Sequence, residues 1–329
     1  MSLYRFKLYL SMITTLAIFI AISTLAIILV TDFFGLNLYI GLAIALVFNL
    51  IQWITAPKII EAVYKVRPLS YREAPEIHDI VSKLSSKLGI KKPEVMLAEV
   101  DIPNAFAYGS IFGKKKVAIT RGLLYTLNLD EIEAVLGHEL GHIKHRDVQA
   151  LMFMSVLPSV FYIISRIALY QLYFSPFIES SDEENPATVA AAIGFISLII
   201  YFILQLILLA FSRLREYYAD YESACNVDNG ARKLMAALAR ITYSTSRIIR
   251  RGDLGSIGAF KALLIADPDV ALKDTGLIAS FRNDYKLAEE IISKRRITLW
   301  DRVMELLSTH PNIVKRLERL REIAESEKV

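Results

Sequence analysis

Residues 187–211 form the stretch ATVAAAIGFISLIIYFILQLILLAF, which contains no charged side chain. At about 1.5 Å of rise per residue, a helix of this length crosses the roughly 30 Å hydrocarbon core of a bilayer. No helix-breaking residue follows it, so the helix is expected to continue through the charged residues 213–225. The stretch therefore predicts a transmembrane helix that extends beyond the membrane.

Three further apolar runs bring the predicted number of spans to four. Residues 8–30 and 36–56 are uncharged and close together, which predicts an N-terminal hairpin over residues 1–56. Residues 148–170 form the third run, and they pair with residues 187–211 in a second hairpin over residues 148–211. Pro158 is expected to bend the third helix. Arg166, near its end, is expected to snorkel to the interface or, alternatively, to pair with an ion inside the membrane.

The composition agrees with a membrane protein. Of the 329 residues, 54% are hydrophobic, and the mean hydropathy is +0.41. Lys and Arg are scattered among acidic residues and the net charge is only +4, so no nucleic-acid partner is predicted. The single cysteine, Cys225, excludes an intrachain disulfide.

The distribution of basic residues predicts the orientation of the chain. Lys and Arg precede the first span and are frequent in residues 57–147 and 212–329, whereas the loops 31–37 and 171–186 contain neither. By the positive-inside rule, both termini and both charged regions are cytoplasmic. The chain is therefore expected to be a multi-pass protein of the cell membrane.

The two charged regions are expected to fold together, because the second hairpin separates them only in sequence. Apolar spacing and β-branched runs predict helices over residues 75–88, 231–249 and 313–324, and strands over residues 93–100, 105–110 and 116–120. The predicted fold class is an α+β membrane protein. It is mainly helical, with four transmembrane helices and a cytoplasmic domain that contains a small β-sheet.

Residues 138–142 read HELGH, which has the form H-E-x-x-H and lies on a predicted helix. Residues 130–133 (DEIE) are expected to form the capping box that starts this helix. His138 and His142 lie on one helix face, where both can bind one Zn²⁺. Glu139 points about 100° away and can hold a metal-bound water without being a ligand. The motif predicts metal-assisted peptide hydrolysis.

A catalytic zinc site needs a third protein ligand beside two histidines. His145 lies about 10 Å of helix rise from His138, too far to share one ion, so it is expected to support the site or lie at the surface. Glu216 follows the fourth span by five residues, and His142 precedes the third by six, so both lie at about the same height above the membrane. Glu216 is therefore the expected third ligand. Asp220, one turn further on, can accept the outer N–H of a ligating histidine.

These motifs resemble those of the HtpX family of membrane-embedded zinc metalloproteases, which are related to the CAAX prenyl proteases. The matching segments are residues 103–109 (PNAFAYG), 137–142 (GHELGH), 146–147 (RD), 216–220 (EYYAD) and 309–311 (THP). The resemblance covers nearly the whole chain, including the number of spans and the order of the motifs. It implies a zincin-like catalytic domain, with the H-E-x-x-H helix in residues 57–147 and the third ligand in residues 212–329.

The resemblance also implies a role for each matching residue. One Zn²⁺ per chain is bound by His138, His142 and Glu216, while Glu139 is the general base and Asp220 orients a ligand. An edge strand that receives extended substrate is formed by Asn104, Ala105, Phe106 and Ala107. His310 stabilises the transition state near the metal; from the residues alone, a histidine before Pro311 is more typical of a turn.

The predicted function is that of a membrane-bound zinc endopeptidase acting on polypeptides, chiefly unfolded or damaged membrane proteins, at the cytoplasmic membrane surface. The resemblance links this activity to protein quality control. One alternative is a CAAX-type prenyl-protein endopeptidase, which needs a cavity for a lipid chain. The other is a non-catalytic membrane scaffold or holdase, against which the complete set of ligands and base argues.

Overall fold

The computed structural model describes residues 38–109, 113–174, 186–250, 284–294 and 297–326, together with scattered helical positions between residues 11 and 22. Four strands lie in this part of the chain: β1 (Val66–Pro68), β2 (Glu94–Ala98), β3 (Ala105–Tyr108) and β4 (Lys116–Thr120). The first helices are α1 (Leu38–Val63), α2 (Pro75–Leu88), α3 (Arg121–Thr126), α4 (Leu129–Lys144) and α5 (Asp147–Phe174). They are followed by α6 (Pro186–Asn226), α7 (Gly230–Arg250), α8 (Asp284–Lys294), α9 (Leu299–Leu306) and α10 (Ile313–Ser326).

The four strands form one mixed sheet in the order β1-β2-β4-β3. Strands β2 and β4 are parallel, and the two outer strands pair antiparallel to them. Alternating side chains divide the sheet into two buried faces. Val95, Leu97, Val117 and Ile119 join the core formed with the helices, whereas Met96, Phe106 and Ala118 pack near Tyr64 at the end of α1. Among the strands of the described residues, β3 is left as an edge, and it lies next to α4.

Helix α4 is the centre of the domain and contacts α2, α6, α7 and strand β3. Most of its side chains are buried, and they belong to a core that also includes residues of α2, α7, α8 and α10. This core joins residues from before α5 with residues from after the apolar part of α6. The chain therefore returns from the α5–α6 pair to complete the packing around α4.

Two helices in the described part of the chain are long and apolar enough to cross a membrane, within Asp147–Tyr170 and Thr188–Asn226. They correspond to the predicted third and fourth spans and pack against each other. The predicted second span falls on helix α1, while the first lies mostly outside the described residues, as do residues 175–185 of the second predicted loop. Arg166 is exposed on α5, and Pro158 lies within that helix.

Helix α6 is about 60 Å long at 1.5 Å per residue, twice the thickness of a hydrocarbon core. Its long uncharged run, residues 186–212, contains the apolar residues 187–211, and Arg213 is the first charged residue after it. The part of α6 that carries Glu216 and Asp220 is therefore a continuation of the apolar segment, as the sequence predicts.

Several boundaries differ from the sequence predictions. The capping box of α4 uses Asn128 and Glu131, so its assignment to residues 130–133 is wrong; Asn128 has the same spacing to an acidic residue and is an equally good cap. Strand β1 and helix α3 were not predicted, because segments this short carry little periodicity. The predicted end of α2 is confirmed at Gly89, which has a φ of 66°. The apolar residues 254–266 lie outside the described part of the chain.

Candidate metal centre

Two glycines allow α4 and α6 to pack closely. A Cβ atom on Gly137 would lie 2.9 Å from Val227 Cγ2 and 3.1 Å from Ser223 Oγ, and one on Gly141 would lie 3.4 Å from the Cα of Ala219. The Ser223 hydroxyl donates a hydrogen bond of 2.6 Å to the carbonyl of Ala134 across the same contact. The glycines of the GHELGH segment thus bring the histidine-bearing helix against α6.

His138, His142 and Glu216 meet at this contact. One ligand atom from each lies within 4.8 Å of the others. The two Nε2 atoms are 3.2 Å apart, His138 Nε2 is 3.7 Å from Glu216 Oε2, and His142 Nε2 is 3.4 Å from Glu216 Oε1. Ligand atoms around a tetrahedral ion at 2.0–2.1 Å are separated by about 3.4 Å. The donor set and its spacing therefore fit a zinc ion.

Two aspartates contact the outer nitrogens of the histidines. Asp220 Oδ1 lies 2.9 Å from His138 Nδ1, and Asp147 Oδ2 lies 2.5 Å from His142 Nδ1. A carboxylate in this position fixes the orientation of the ring and directs the other nitrogen toward the metal. Asp220 was predicted for this position. The role of Asp147 was not recognised, although Asp147 belongs to the RD segment that the resemblance singled out.

Each aspartate is itself held by a buried arginine. Arg316, from α10, donates to Asp220 through Nε at 2.9 Å and Nη2 at 2.6 Å, and its Nη1 lies 3.3 Å from Glu216 Oε2. Arg215 contacts the carboxylate of Asp147 and donates to its carbonyl at 2.6 Å. Arg316 falls within the apolar stripe of α10. An arginine among apolar residues on the buried face of a helix indicates a buried ion pair, and the sequence offers this signal at Arg316.

The charges around the site favour an ionised Glu216. Burial acts to raise the pKa of this carboxyl, but His310, His138 and His142 hold it well below its ordinary range. For Asp220, burial is likewise outweighed by Arg316 and His138, and the pKa is lowered. In contrast, burial raises the pKa of Glu139, and the neighbouring histidines offset this effect only in part. The site therefore combines a carboxylate suited to metal binding with a more basic one beside it.

Glu139 also contacts the free edge of the sheet. Its Oε2 accepts a hydrogen bond of 2.9 Å from the backbone N–H of Ala107. Asn104 instead is buried, and its backbone bonds to Thr120 on β4. Because backbone directions alternate along a strand, the N–H and C=O groups of Ala105 and Ala107 point away from β4. This edge opens toward the metal ligands.

A cavity of about 200 Å³ lies between the edge strand and the candidate ligands. Ala105, Phe106 and Ala107 line it, together with His138, Glu139, His142, Glu216 and His310. His310 Nδ1 lies 3.2 Å from Glu216 Oε2. His145 is not part of this group: its Nε2 lies 3.2 Å from Glu222 Oε1, and its ring packs edge-on against Tyr218. The structure thus brings together the predicted site residues, with Asn104 behind the cavity wall.

The arrangement is that of a metallopeptidase: an H-E-x-x-H helix, a glutamate from a second helix and a free strand edge surround one cavity. Residues 71–324 match the family model described as Peptidase family M48. The chain belongs to this family and is a membrane-bound metalloprotease, as the resemblance to HtpX proteins predicted.

The chain is similar over nearly its whole length to proteins named as HtpX homologues. It is 35% identical to Protease HtpX homolog of Thermoplasma acidophilum, covering 98% of this chain and 99% of the relative. It is 31% identical to Protease HtpX homolog 1 of Saccharolobus solfataricus, covering 96% of each. Among solved structures, Ste24p of S. mikatae matches with a TM-score of 0.53 and 19% identity, over 95% of this chain and 66% of that one. This last likeness concerns the fold alone.

Proposed function

We propose that the chain is a zinc endopeptidase in which His138, His142 and Glu216 hold one Zn²⁺. The observation that carries the proposal is the convergence of these three side chains from two helices, with ligand atoms 3.2–3.7 Å apart. An ion held by these three side chains would supply acidification of a bound water and polarisation of the scissile carbonyl. Asp220 and Asp147 orient the two imidazoles, and Arg316 and Arg215 hold these aspartates in place.

In the proposed mechanism, Glu139 is the general base. It accepts a proton from the attacking water and passes this proton to the leaving amine. The raised pKa of its carboxyl makes it a better proton acceptor than an ordinary glutamate. His310, whose Nδ1 lies 3.2 Å from Glu216 Oε2, donates a hydrogen bond to the developing oxyanion. Both side chains line the same cavity.

The substrate binds in extended form along β3. The N–H and C=O groups of Ala105 and the C=O group of Ala107 are the pairing partners, since the N–H of Ala107 is bonded to Glu139. The adjacent cavity takes the scissile bond. Backbone pairing requires an unfolded segment and tolerates many sequences. This requirement favours unfolded or damaged polypeptides as substrates.

The membrane placement proposed for the chain has four spans, with the N-terminal hairpin at residues 8–30 and 36–56 and the second hairpin at residues 148–170 and 187–211. Both termini and the catalytic domain are cytoplasmic, since the basic residues lie on that side. Glu216 follows the last span by five residues, about 8 Å along the helix. The site is therefore close enough to the bilayer surface to reach the tails and loops of membrane proteins.

The proposal is tested with Glu139→Gln in the detergent-purified full chain. This variant keeps the size of the side chain and removes the base, so we expect unchanged zinc content and a loss of casein cleavage of about 10²–10⁴-fold. Glu133→Gln is the matched control, because Glu133 lies on the same helix and pairs with Lys83 and Lys233 away from the cavity. Casein cleavage by Glu139→Gln at the rate of the control would contradict the assignment of the base.

The role of His310 is tested in the same assay. His310→Gln should lower kcat by about 10²–10³-fold at unchanged zinc content, since it removes one donor to the oxyanion.

The prenyl-protein endopeptidase alternative is tested by comparing the cleavage rates of a farnesylated peptide and its unmodified form. Strong preference for the farnesylated peptide would favour the prenyl-protein endopeptidase over the proposed function.

A further inference from the structure

Helix α9, Leu299–Leu306, has an apolar face that the described residues leave uncovered. None of its residues is buried. Leu299 is 79% exposed, Trp300 61% and Leu307, directly after the helix, 60%. Val303, Met304 and Leu306 are exposed as well. At 100° per residue these six side chains occupy about 160° of the helix surface.

The opposite side of α9 is polar and firmly attached. Thr298 and Asp301 form a capping box at its start. Near its end, Glu305 accepts a hydrogen bond of 3.2 Å from the backbone N–H of Asn312 and forms an ion pair with Lys315. The helix is thus held on the domain by its polar side, and its apolar side points away from these contacts.

The position of α9 relative to the apolar segment of α6 is given by Arg213. Its Nη1 donates to three carbonyl oxygens at the end of α9, those of Glu305 at 2.9 Å, Leu306 at 3.1 Å and Ser308 at 2.8 Å. Arg213 is the second residue after the uncharged run 187–211. The end of α9 therefore lies at the height where α6 leaves the hydrocarbon core.

We propose that α9 lies in the plane of the membrane surface and buries its apolar face in the boundary between headgroups and acyl chains. This inference rests on the membrane placement of α6 proposed above. An amphipathic helix with leucines and a tryptophan on one face, at the height of the interface, has the chemistry of such a segment. The occupant of the surface is lipid. The polar face of α9 carries Asp301, Arg302 and Glu305, two acids and one base. Insertion of the apolar face, rather than attraction to anionic lipid, therefore provides the binding.

The inference connects the membrane with the active site. Three residues, Leu307, Ser308 and Thr309, separate the end of α9 from His310, whose Nδ1 lies 3.2 Å from Glu216 Oε2. A helix resting on the bilayer fixes the start of this short segment. His310 is thereby positioned at a set height above the lipid.

The test uses tryptophan fluorescence in the full chain, reconstituted in vesicles of zwitterionic phospholipid. The protein has two tryptophans, and Trp53→Phe leaves Trp300 as the single reporter. We expect lipids with a nitroxide near the headgroup to quench Trp300 at least twofold, and aqueous iodide to quench it weakly. Strong quenching by iodide without quenching by lipid would overturn the inference. Protection from both quenchers would place protein, not lipid, over α9 and would overturn it equally.

Two reporters separate this inference from the membrane placement on which it rests. In a chain carrying Trp53→Phe and Trp300→Phe, Phe202→Trp places the reporter on the exposed side of the apolar segment of α6, and Tyr125→Trp places it on the exposed side of α3. Quenching of Phe202→Trp by a deep nitroxide, and of Tyr125→Trp by iodide alone, validates the method. If lipid nitroxides do not quench a tryptophan at position 202, the placement of α6 is contradicted. If they quench that tryptophan but not Trp300, only the role of α9 is contradicted.

Discussion

The two histidines of the metal centre are supported in different ways. His138 has 2% of its side chain exposed, and Asp220 behind it is held by two hydrogen bonds from Arg316 of α10. His142 is 16% exposed, and Asp147 behind it is the first residue of α5. One support is built from the core of the domain. The other is built where the chain enters its predicted third span.

This difference follows from the local sequence. Arg146, between α4 and α5, has a φ of 54°, and this turn brings Asp147 back toward His142. Arg316 instead reaches Asp220 from a helix that begins 93 residues after Asp220 in the chain. In the support of His142, Asp147 is local in sequence and is held by Arg215 of α6, next to the second hairpin. The support of His138 depends instead on the docking of α10. Folding of the C-terminal helix and assembly of the metal centre are coupled through Arg316.

The largest expected effect is that of Arg316→Met. Removing this cation leaves Asp220 and Glu216 buried without their arginine, which costs about 3–5 kcal/mol of folding free energy. Thermal unfolding of the full chain in detergent measures the loss. Arg321→Met, on the same helix but in a partly exposed pair with Glu289, should cost less than about 1 kcal/mol.

The double variant Arg316→Met with Asp220→Asn sharpens this prediction. Because Asp220→Asn removes one of the two buried acids that have lost their arginine, the double variant should be more stable than Arg316→Met alone. Equal melting of Arg316→Met and Arg321→Met would show that α10 does not support the site as described.

The second prediction compares the two aspartates directly. Asp220→Asn and Asp147→Asn should each weaken zinc binding by about 10–100-fold, as measured by competition with a chelator. Because Asp147 starts the predicted third span, its variant should recover part of this loss when the protein is moved from detergent into a bilayer. Asp220→Asn should lose the same affinity in both. If the zinc affinities of the two variants change equally between detergent and bilayer, the supports of His138 and His142 do not differ as described.

The parts of the fold that could be predicted from the sequence are those with local signals. Helix α2 follows from its apolar spacing, and the helix over residues 187–211 follows from length and the absence of charge. The pairing of Glu216 with the H-E-x-x-H helix also followed, because two helices at a common membrane surface provide a shared height. The contact of Glu216 with the histidines is nonlocal, yet it could be predicted because the predicted membrane surface gives both helices a common height.

The features that the sequence did not predict depend on contacts whose partners neither the spacing of residues nor the membrane surface indicates. Arg316 could be placed on a helix but not against Asp220, since nothing in the spacing of α10 indicates which helix it faces. Asp147 is close to His142 in sequence, yet its role depends on the left-handed turn at Arg146. The start of α4 was misplaced because two acidic residues at the right spacing compete with Asn128 and Glu131. The clustering of His138, Glu139, His142 and Glu216 could thus be predicted, but the contacts of Arg316 and Arg215 with the two aspartates could not.

The smallest expected effect is at Glu222, which lies on α6 but faces away from both histidine supports. Its carboxylate contacts Lys144 at 2.9 Å and His145 at 3.2 Å. Burial acts to raise the pKa of Glu222, but the hydrogen bonds from His145 and Lys144 hold it at about 2. Since an unfolded glutamate has a pKa of about 4.3, the unfolded chain binds more protons between about pH 4.5 and pH 2. The contribution of Glu222 to stability is therefore complete above this range and is lost as the pH falls through it.

Glu222→Gln should accordingly lower the free energy of unfolding by about 1–2 kcal/mol at pH 7 and by less as the pH approaches 2. The measurement is a series of melting curves of both proteins between pH 3 and pH 7, in which the two should converge toward the acid end. Zinc affinity at pH 7 should stay within about twofold of the wild type, unlike that of Asp220→Asn, since the contacts of Glu222 with Lys144 and His145 lie past the end of the H-E-x-x-H motif. A parallel pair of pH profiles would show that Glu222 contributes packing alone, and a loss of zinc affinity would extend the support of the metal centre to the end of α4.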